Sequence, residues 1–252
     1  MLRRSPLPGK EPLGAKGYRA YAVGDVHGRL DLLEHLLAKI HAELQRRPSE
    51  KTLLVFVGDL IDRGPASAQV IERLRTYRRS GVETAFLLGN HEEVLLRILG
   101  GDAPLITKWR WFGGSECLQS YGVGPDRLSH LTDEEALAVV SAAIPREHVE
   151  FLETFVDSCR FGDYLFVHAG IRPGVDLEQQ SQTDLRWIRA PFLSDDRDHG
   201  FVVVHGHTIA AEAELLPNRI GIDTGAYRTG VLTAVAIEGS ERWLIDTRPS
   251  GT

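Results

Sequence analysis

Apolar residues in this chain recur with two periods, and where one period gives way to the other the chain is punctuated by glycine. Tyr18 to Val23 is a short apolar run that reads as a strand ending on Gly24-Asp25. Leu30, Leu33, Leu36, Leu37, Ile40 and Leu44 then recur at helical spacing as far as Pro48. The β-branched run Leu53-Leu54-Val55-Phe56-Val57 predicts a buried strand. It is followed by a helix with Val70, Ile71, Leu74 and Tyr77 on one face, closed by Gly81. Val82 to Leu88 predicts a third strand, with a short helix to Leu99 behind it. Three strand–helix units in succession predict a parallel sheet.

From Asp102 to Gly124 the pattern breaks into Trp109, Trp111, Phe112, Gly113-Gly114 and Tyr121 with no clean period. The segment follows the third strand by one short helix, so it is expected to flank whatever cleft the strand ends form. Thr132 with Glu135 three residues on is a capping box opening a helix through about Ala143. Pro145 suits the start of another helix, to about Asp157. This stretch, 102–158, reads as a helical cover or insertion between two halves of a sheet system. Strand-like runs dominate afterwards, at Tyr164 to Val167, Phe201 to Val204, Arg219 to Ile222, Val231 to Ile237 and Arg242 to Ile245. The fold class expected is α/β, with two mixed sheets packed face to face and helices outside. Residues 18–252 form a single domain in this reading and residues 1–17, punctuated by Pro and Gly, a mobile tail.

The same grammar recurs at several strand ends, where an apolar run passes through a glycine to a polar side chain. It occurs at Gly24-Asp25-Val26-His27-Gly28, at Gly58-Asp59-Leu60-Ile61-Asp62-Arg63-Gly64 and at Gly89-Asn90-His91-Glu92, and more loosely at Val167-His168-Ala169-Gly170 and His205-Gly206-His207-Thr208. Side chains leaving a sheet at strand ends project into a crevice rather than into packing. Five of the ten histidines lie in these segments. Imidazole and carboxylate are ligands that borderline and hard divalent cations share, so Mn, Fe or Zn is plausible chemistry here.

Composition narrows the picture. A formal charge of −6 gives no electrostatic footprint for nucleic acid, so no nucleic-acid partner is expected. The two cysteines, Cys117 and Cys159, lack the spacing of a disulfide framework or a thiolate zinc site, which suits a cytoplasmic location. No membrane-length apolar run and no apolar leader segment are present, so no membrane association is expected.

With Ile222-Asp223-Thr224-Gly225 added, these motifs resemble the calcineurin-like metallophosphoesterases. The first three resemble the phosphoprotein phosphatase branch, which also contains symmetrical diadenosine tetraphosphatases and small bacterial Ser/Thr phosphatases. The resemblance spans roughly Tyr18 to Ile245. It implies two divalent cations, Mn first and Fe, Zn, Co or Ni as alternatives. Asp25 and His27 would hold one, Asp59 would bridge both, and Asn90, His168 and His207 would complete the second. Two cations roughly 3.5 to 4 Å apart need an anionic bridge, and a water between them can be deprotonated near neutral pH and attack phosphorus. Arg63 and Arg189 are similar to the family's phosphate-clamping arginines, with Asn90 also at the phosphate, and His91 to its leaving-group acid, held by Asp62.

Asp223 is expected to tie loops together, His205 to support rather than ligate, and Arg186 to be a surface charge. The activity implied is hydrolysis of a phosphoester, most readily a phosphorylated Ser/Thr protein. A dinucleoside polyphosphate is the second substrate class, for which Trp109, Trp111 or Trp187 could stack on a base. A metal-stabilised binding module without turnover is disfavoured, because a purely structural site has no need of Asp62 and His91.

Overall fold

Residues on the two faces of each early strand are buried in different apolar clusters, which places the strands in a middle layer. The computed structural model describes residues 11–249. In β1 (Tyr18–Val23), Ala20 and Ala22 point into one cluster while Tyr21 and Val23 point into another. In β2 (Lys51–Phe56), Val55 joins the first set and Leu54 and Phe56 the second, the period of two expected of a sheet covered on both faces. β3 (Val82–Phe86) continues the parallel arm, so the three strand–helix units form as expected.

The helices α1 (Leu30–Arg46), α2 (Ser67–Arg75) and α3 (Asn90–Leu99) cover the outer face of this sheet. Beyond α3 come α4 (Leu105–Trp109), a π-helical turn at Arg110–Gly114, and α5 (Ser115–Ser120). The Thr132–Glu135 capping box is present and opens α6 (Asp133–Ala143), which is followed by α7 (Arg146–Leu152). The second sheet is built from β4 (Ser158–Phe161), β5 (Tyr164–Val167), β6 (Val202–His205), β7 (Glu214–Leu215) and β8 (Arg219–Gly221), with α8 (Gln182–Trp187) between β5 and β6. After α9 (Ala226–Thr229), the strands β9 (Thr233–Glu238) and β10 (Glu241–Asp246) return to the first sheet.

The strand orders are β10-β9-β1-β2-β3 and β4-β5-β6-β8-β7. Both sheets are mixed: β1, β2 and β3 are mutually parallel, as are β5, β6 and β8, with antiparallel strands at the margins. Between the sheets lie Ala20, Ala22, Val55, Val57, Val235 and Ile237 against Tyr164, Phe166, Val204 and Ile220. Leu165, Val167 and Val203 on the far face of the second sheet pack on Leu185, Ile188 and Phe192. The two face-to-face mixed sheets with outer helices are the α/β architecture anticipated.

Three details differ from expectation. The helix after Pro145 stops at Leu152 rather than about Asp157, because the chain leaves it to pair with the end of β3. There Val156 N donates to Phe86 O at 3.0 Å and accepts at its carbonyl from Leu88 N at 2.9 Å. The cover helices α6 and α7 do not lie between the sheets. Ala136, Val140 and Leu152 share the cluster of Leu95 and Ile98 on the outer face of the first sheet. Of the expected tail, residues 1–10 lie outside the described residues, but Leu13 and Gly14 are pinned. Leu13 N donates to Asp163 Oδ2 at 2.9 Å, Asp163 N to Leu13 O at 2.8 Å and Gly14 N to Gly239 O at 2.8 Å. Among the described residues no helix is long and apolar enough to cross a membrane.

Candidate active site

Every polar motif read from the sequence leaves the carboxyl end of a strand: Asp25 and His27 behind β1, Asp59 to Arg63 behind β2, Asn90 and His91 behind β3, His168 behind β5, His207 behind β6 and Asp223 behind β8. Both sheets therefore open onto one crevice. Turning the side chains inward costs backbone strain. Among the described residues, those other than glycine with left-handed φ are His27, Asp59, Asp62, Arg63 and His207, all at this crevice. Such residues cost on the order of 1–3 kcal/mol each unless their surroundings fix them.

What fixes the central turn is a buried carboxylate. Glu92 accepts from the backbone N–H of Asp59 at 2.9 Å, Leu60 at 2.7 Å, Ile61 at 3.2 Å and Gly89 at 3.1 Å. Burial and the charge of Asp59 push this carboxyl up to about 7, against the pull of His91 and the amides. The Asp59 carbonyl in turn accepts from Val26 and His27 N at 3.1 and 2.9 Å, which locks the β1 turn to the β2 turn. At Gly206 a side chain would overlap the Asp25 carboxylate.

Two groups of metal-type side chains share Asp59: His27, Asp59 and His91 on one side, and Asp59, His168 and His207 on the other. His27 Nε2 lies 3.6 Å from Asp59 Oδ2 and His168 Nε2 lies 3.4 Å from Asp59 Oδ1. The remaining ring nitrogens are committed. His27 Nδ1–H donates to Ile61 O and His168 Nδ1–H to Val57 O, both at 2.8 Å, so each Nε2 lone pair points inward, as metal-ligating imidazoles do. His168 Nε2 faces Asn90 Oδ1 at 3.0 Å, acceptor against acceptor, and His207 Nε2 is buried without a partner. A cation between these atoms relieves all of this, so the donor set fits divalent metals. Asp25 belongs to neither three-residue group. Its oxygens accept from His207 N at 3.1 and 3.2 Å, with Asp59 and Asp223 nearby.

The electrostatics point the same way. Burial, then Asp223 and Asp59, raise the Asp25 carboxyl well above the usual range. Burial would raise Asp59 too, but the imidazoles of His168, His91, His27 and His207 outweigh it and hold that carboxyl far below. Burial pushes His27 and His207 down to about 3 and lowers His168, so all three are neutral at pH 7 and available as ligands. Imidazoles held below their unfolded value, about 6.5, stabilise the fold above that pH and withdraw the support as pH falls toward 3. Thermal denaturation of metal-free protein below about pH 6.5 should therefore show the loss of what these imidazoles contribute, set against a gain from the raised carboxyls of Asp25, Glu92 and Asp223 as they take protons. Added metal should move that loss, and the acid limb of activity, to lower pH. An acid limb that ignores metal concentration would assign it to another group.

Beside the metal-type residues, His91 Nδ1–H donates to Asp62 Oδ2 at 2.6 Å. Burial pulls the imidazole down, but Asp59 and Asp62 together lift it to about 8. Its Nε2 sits 3.1 Å from Arg63 Nη2. With the imidazole protonated both are donors, and they converge on an acceptor such as a phosphate oxygen. Arg63 also lies over the Tyr227 ring at 4.8 Å, and Tyr227 meets His27 edge-on at 5.4 Å. A cavity of about 350 Å³ joins Asp59, Arg63, Asn90, His91, Arg189 and His207 to an outer wall of Arg97, Leu105, Lys108, Trp109, Phe112 and Trp187. The segment after α3 does flank the mouth. Trp109 is only 2 % exposed, whereas Trp111 is 86 % exposed and faces an adjoining groove with Arg110 and Tyr227.

The residues named from sequence thus converge, with some changes of role. Asp223 bonds its own loop, accepting from Gly225 N at 2.8 Å. His205 lies outside both groups, its ring edge-on to Phe192 and pushed down to about 4 by burial. Arg186 is no surface charge: it is buried, with Nε and Nη2 on Asp157 Oδ1 at 2.7 and 2.6 Å and Nη1 3.6 Å from Glu93, so it ties α8 to α3. Sequence reasoning assigned no role to Glu92, Tyr227 or the Trp109 N–H. Glu92 and Tyr227 stand in or beside motifs already singled out, which was the available signal.

A family profile described as calcineurin-like phosphoesterase matches residues 18–228. The chain belongs to that family. Relatives include a bis(5'-nucleosyl)-tetraphosphatase PrpE [asymmetrical] of Halalkalibacterium halodurans, 26% identical, covering 84% of this chain and 87% of the relative. Serine/threonine-protein phosphatase 1 of Salmonella typhimurium is 29% identical, covering 89% and 94%. Among solved structures, one of a candidate diadenosine tetraphosphatase superposes with a TM-score of 0.63 at 22% identity over 97% of each chain, which shows the shared fold. As a calcineurin-like phosphoesterase with these Asp and His groups, the protein uses divalent metal ions.

Proposed function

We propose that this calcineurin-like phosphoesterase is a two-metal-dependent phosphatase of the Ser/Thr type, acting in the cytoplasm. Asp25 and His27 would hold one cation, Asp59 both, and Asn90, His168 and His207 the other. Manganese is the expected metal, with Fe, Zn, Co or Ni able to use the same nitrogen and oxygen donors. When bound, the cations would supply positive charge at the phosphoryl group and lower the pKa of water to roughly 7. The observation that carries the reading is Asp59, shared between two histidine groups and opening onto a cavity lined by Arg63 and Arg189 among others.

The chain's own groups have separable tasks. Arg63 and Arg189 bind nonbridging phosphate oxygens, where planar donors match the charge of the transition state. His91 gives its Nε2 proton to the leaving oxygen as the P–O bond breaks and its electron pair stays on oxygen. Asp62 orients the ring and offsets its positive charge.

One observation favours a dinucleoside polyphosphate as the alternative substrate. The outer wall adds Arg97 and Lys108 to the clamp, and Phe112 and Trp187 are 54 % and 39 % exposed beside them, a combination that suits further phosphates and a base. The tetraphosphatase relatives agree with it. Assay of phosphoserine peptides, para-nitrophenyl phosphate and diadenosine tetraphosphate with manganese tests both. Faster kcat/KM on the peptide supports the phosphatase reading, faster turnover of the dinucleotide replaces it with the second, and no turnover of any overturns the hydrolase assignment.

A further inference from the structure

Asp62, the partner of His91, has a second donor that the mechanism above does not use. Its Oδ2 accepts from His91 Nδ1 at 2.6 Å and also from Trp109 Nε1 at 2.8 Å, while its Oδ1 has no hydrogen-bond partner. Ser67 holds the backbone N–H of Asp62 and leaves its carboxylate alone. Cys117, buried close by, offers only a weak S–H donor. Apart from His91 itself, the indole is the strong donor that sets the rotation of this carboxylate.

The way Trp109 reaches it is built into the sequence feature that broke the helical pattern. Trp109 ends α4, and the π-helical turn behind it contains Gly113 at φ 110°. The Gly113 carbonyl accepts from Arg63 N at 3.0 Å, and a Cβ at Gly113 would strike the Arg63 main chain. A Cβ at Gly114 would strike the indole. The glycine pair thus lets one short stretch hold the side chain of Asp62 and the backbone of Arg63, two neighbours that both have left-handed φ.

We propose that Trp109 is a positioning residue for leaving-group protonation: its N–H fixes the Asp62 carboxylate so that His91 Nε2 is aimed at the leaving oxygen. A buried indole N–H needs an acceptor, and here the acceptor is the same oxygen that the imidazole uses, so the hydrogen bond that satisfies the indole also fixes the carboxylate that orients His91. The inference rests on the hydrolase reading of this site. In the step concerned, the P–O bond breaks, the leaving oxygen keeps the electron pair and takes the His91 proton, and Asp62 remains ionised throughout.

The test compares Trp109→Phe with wild type in the full chain with manganese, on para-nitrophenyl phosphate and phenyl phosphate. The first leaves readily unprotonated, and the second needs the proton. Loss of a hydrogen bond to a charged group should lower kcat/KM on phenyl phosphate on the order of 10-fold to 100-fold, with distinctly less loss on para-nitrophenyl phosphate. Metal content should be unchanged. In the metal-free protein, the downfield proton resonance of the His91–Asp62 hydrogen bond should shift or broaden. Should the phenylalanine variant not fold, benzothienylalanine at position 109 keeps the shape and removes only the N–H. Equal losses on both aryl phosphates, or an unmoved resonance, would leave Trp109 a packing residue. A wild type inactive on every phosphoester would overturn the hydrolase reading, and the resonance would still report on the positioning.

Discussion

Asp59→Asn is expected to lose metal and activity together, and to lose more of both than Asn90→Ala. Asp59 is the one carboxylate common to the two histidine groups, and it is held far below the usual carboxylate range. Replacing it by an amide removes the charge that would offset repulsion between two cations, whereas Asn90→Ala removes one neutral oxygen. Substitution of groups that only support metal ligands typically costs about 10–100-fold in affinity or activity, so the loss of a shared ligand should exceed that. Elemental analysis of purified protein and activity titrated with manganese would measure it. Two metals retained per chain in Asp59→Asn would contradict the bridging role.

His91→Asn should separate substrates instead of silencing all of them. A serine alkoxide is a poor leaving group and must be protonated as it departs, while para-nitrophenolate leaves unaided. General acid catalysis is worth about 10²–10⁴-fold, and a loss of that order is expected on a phosphoserine peptide with a much smaller loss on para-nitrophenyl phosphate. Asp62→Asn should follow the same order more mildly. Arg63→Ala should slow both substrates alike, because both present the same phosphoryl group. Equal losses for His91→Asn would remove the acid role and leave His91 as a phosphate or water contact.

Much of this is legible in the sequence because the central strands are buried on both faces and several end in glycine. A continuous apolar run stopped by Gly announces both the strand and the point at which side chains can turn into a crevice. That grammar sets Asp25, Asp59, Asn90 and His207 behind strand ends; their grouping with His168 as ligands of two cations is what the family resemblance implies. The stretch 105–120 was opaque for a physical reason: Gly113 at φ 110° interrupts the helical period, so α4 and α5 do not share one apolar stripe. β4 and β7 are short and marginal, pairing at sheet edges where no strong pattern is needed. Partners of individual side chains were the least legible. Spacing cannot say that Trp109 gives its N–H to Asp62, nor that Arg186 turns back onto Asp157.

The ends of the two sheets supply different halves of the crevice. Asp25, Asp59 and Asn90 ride on the first sheet, His168 and His207 on the second, and between the sheets small Ala20 and Ala22 meet large Tyr164 and Phe166. That apolar layer acts as a caliper. Its thickness, near 10 Å for packed sheets, gauges how far the histidines of one sheet stand from the carboxylates of the other. Because such a layer is close-packed and transmits strain, an added methyl group at Ala20 or Ala22 is also a change in the span of the candidate metal centre, made from within the core.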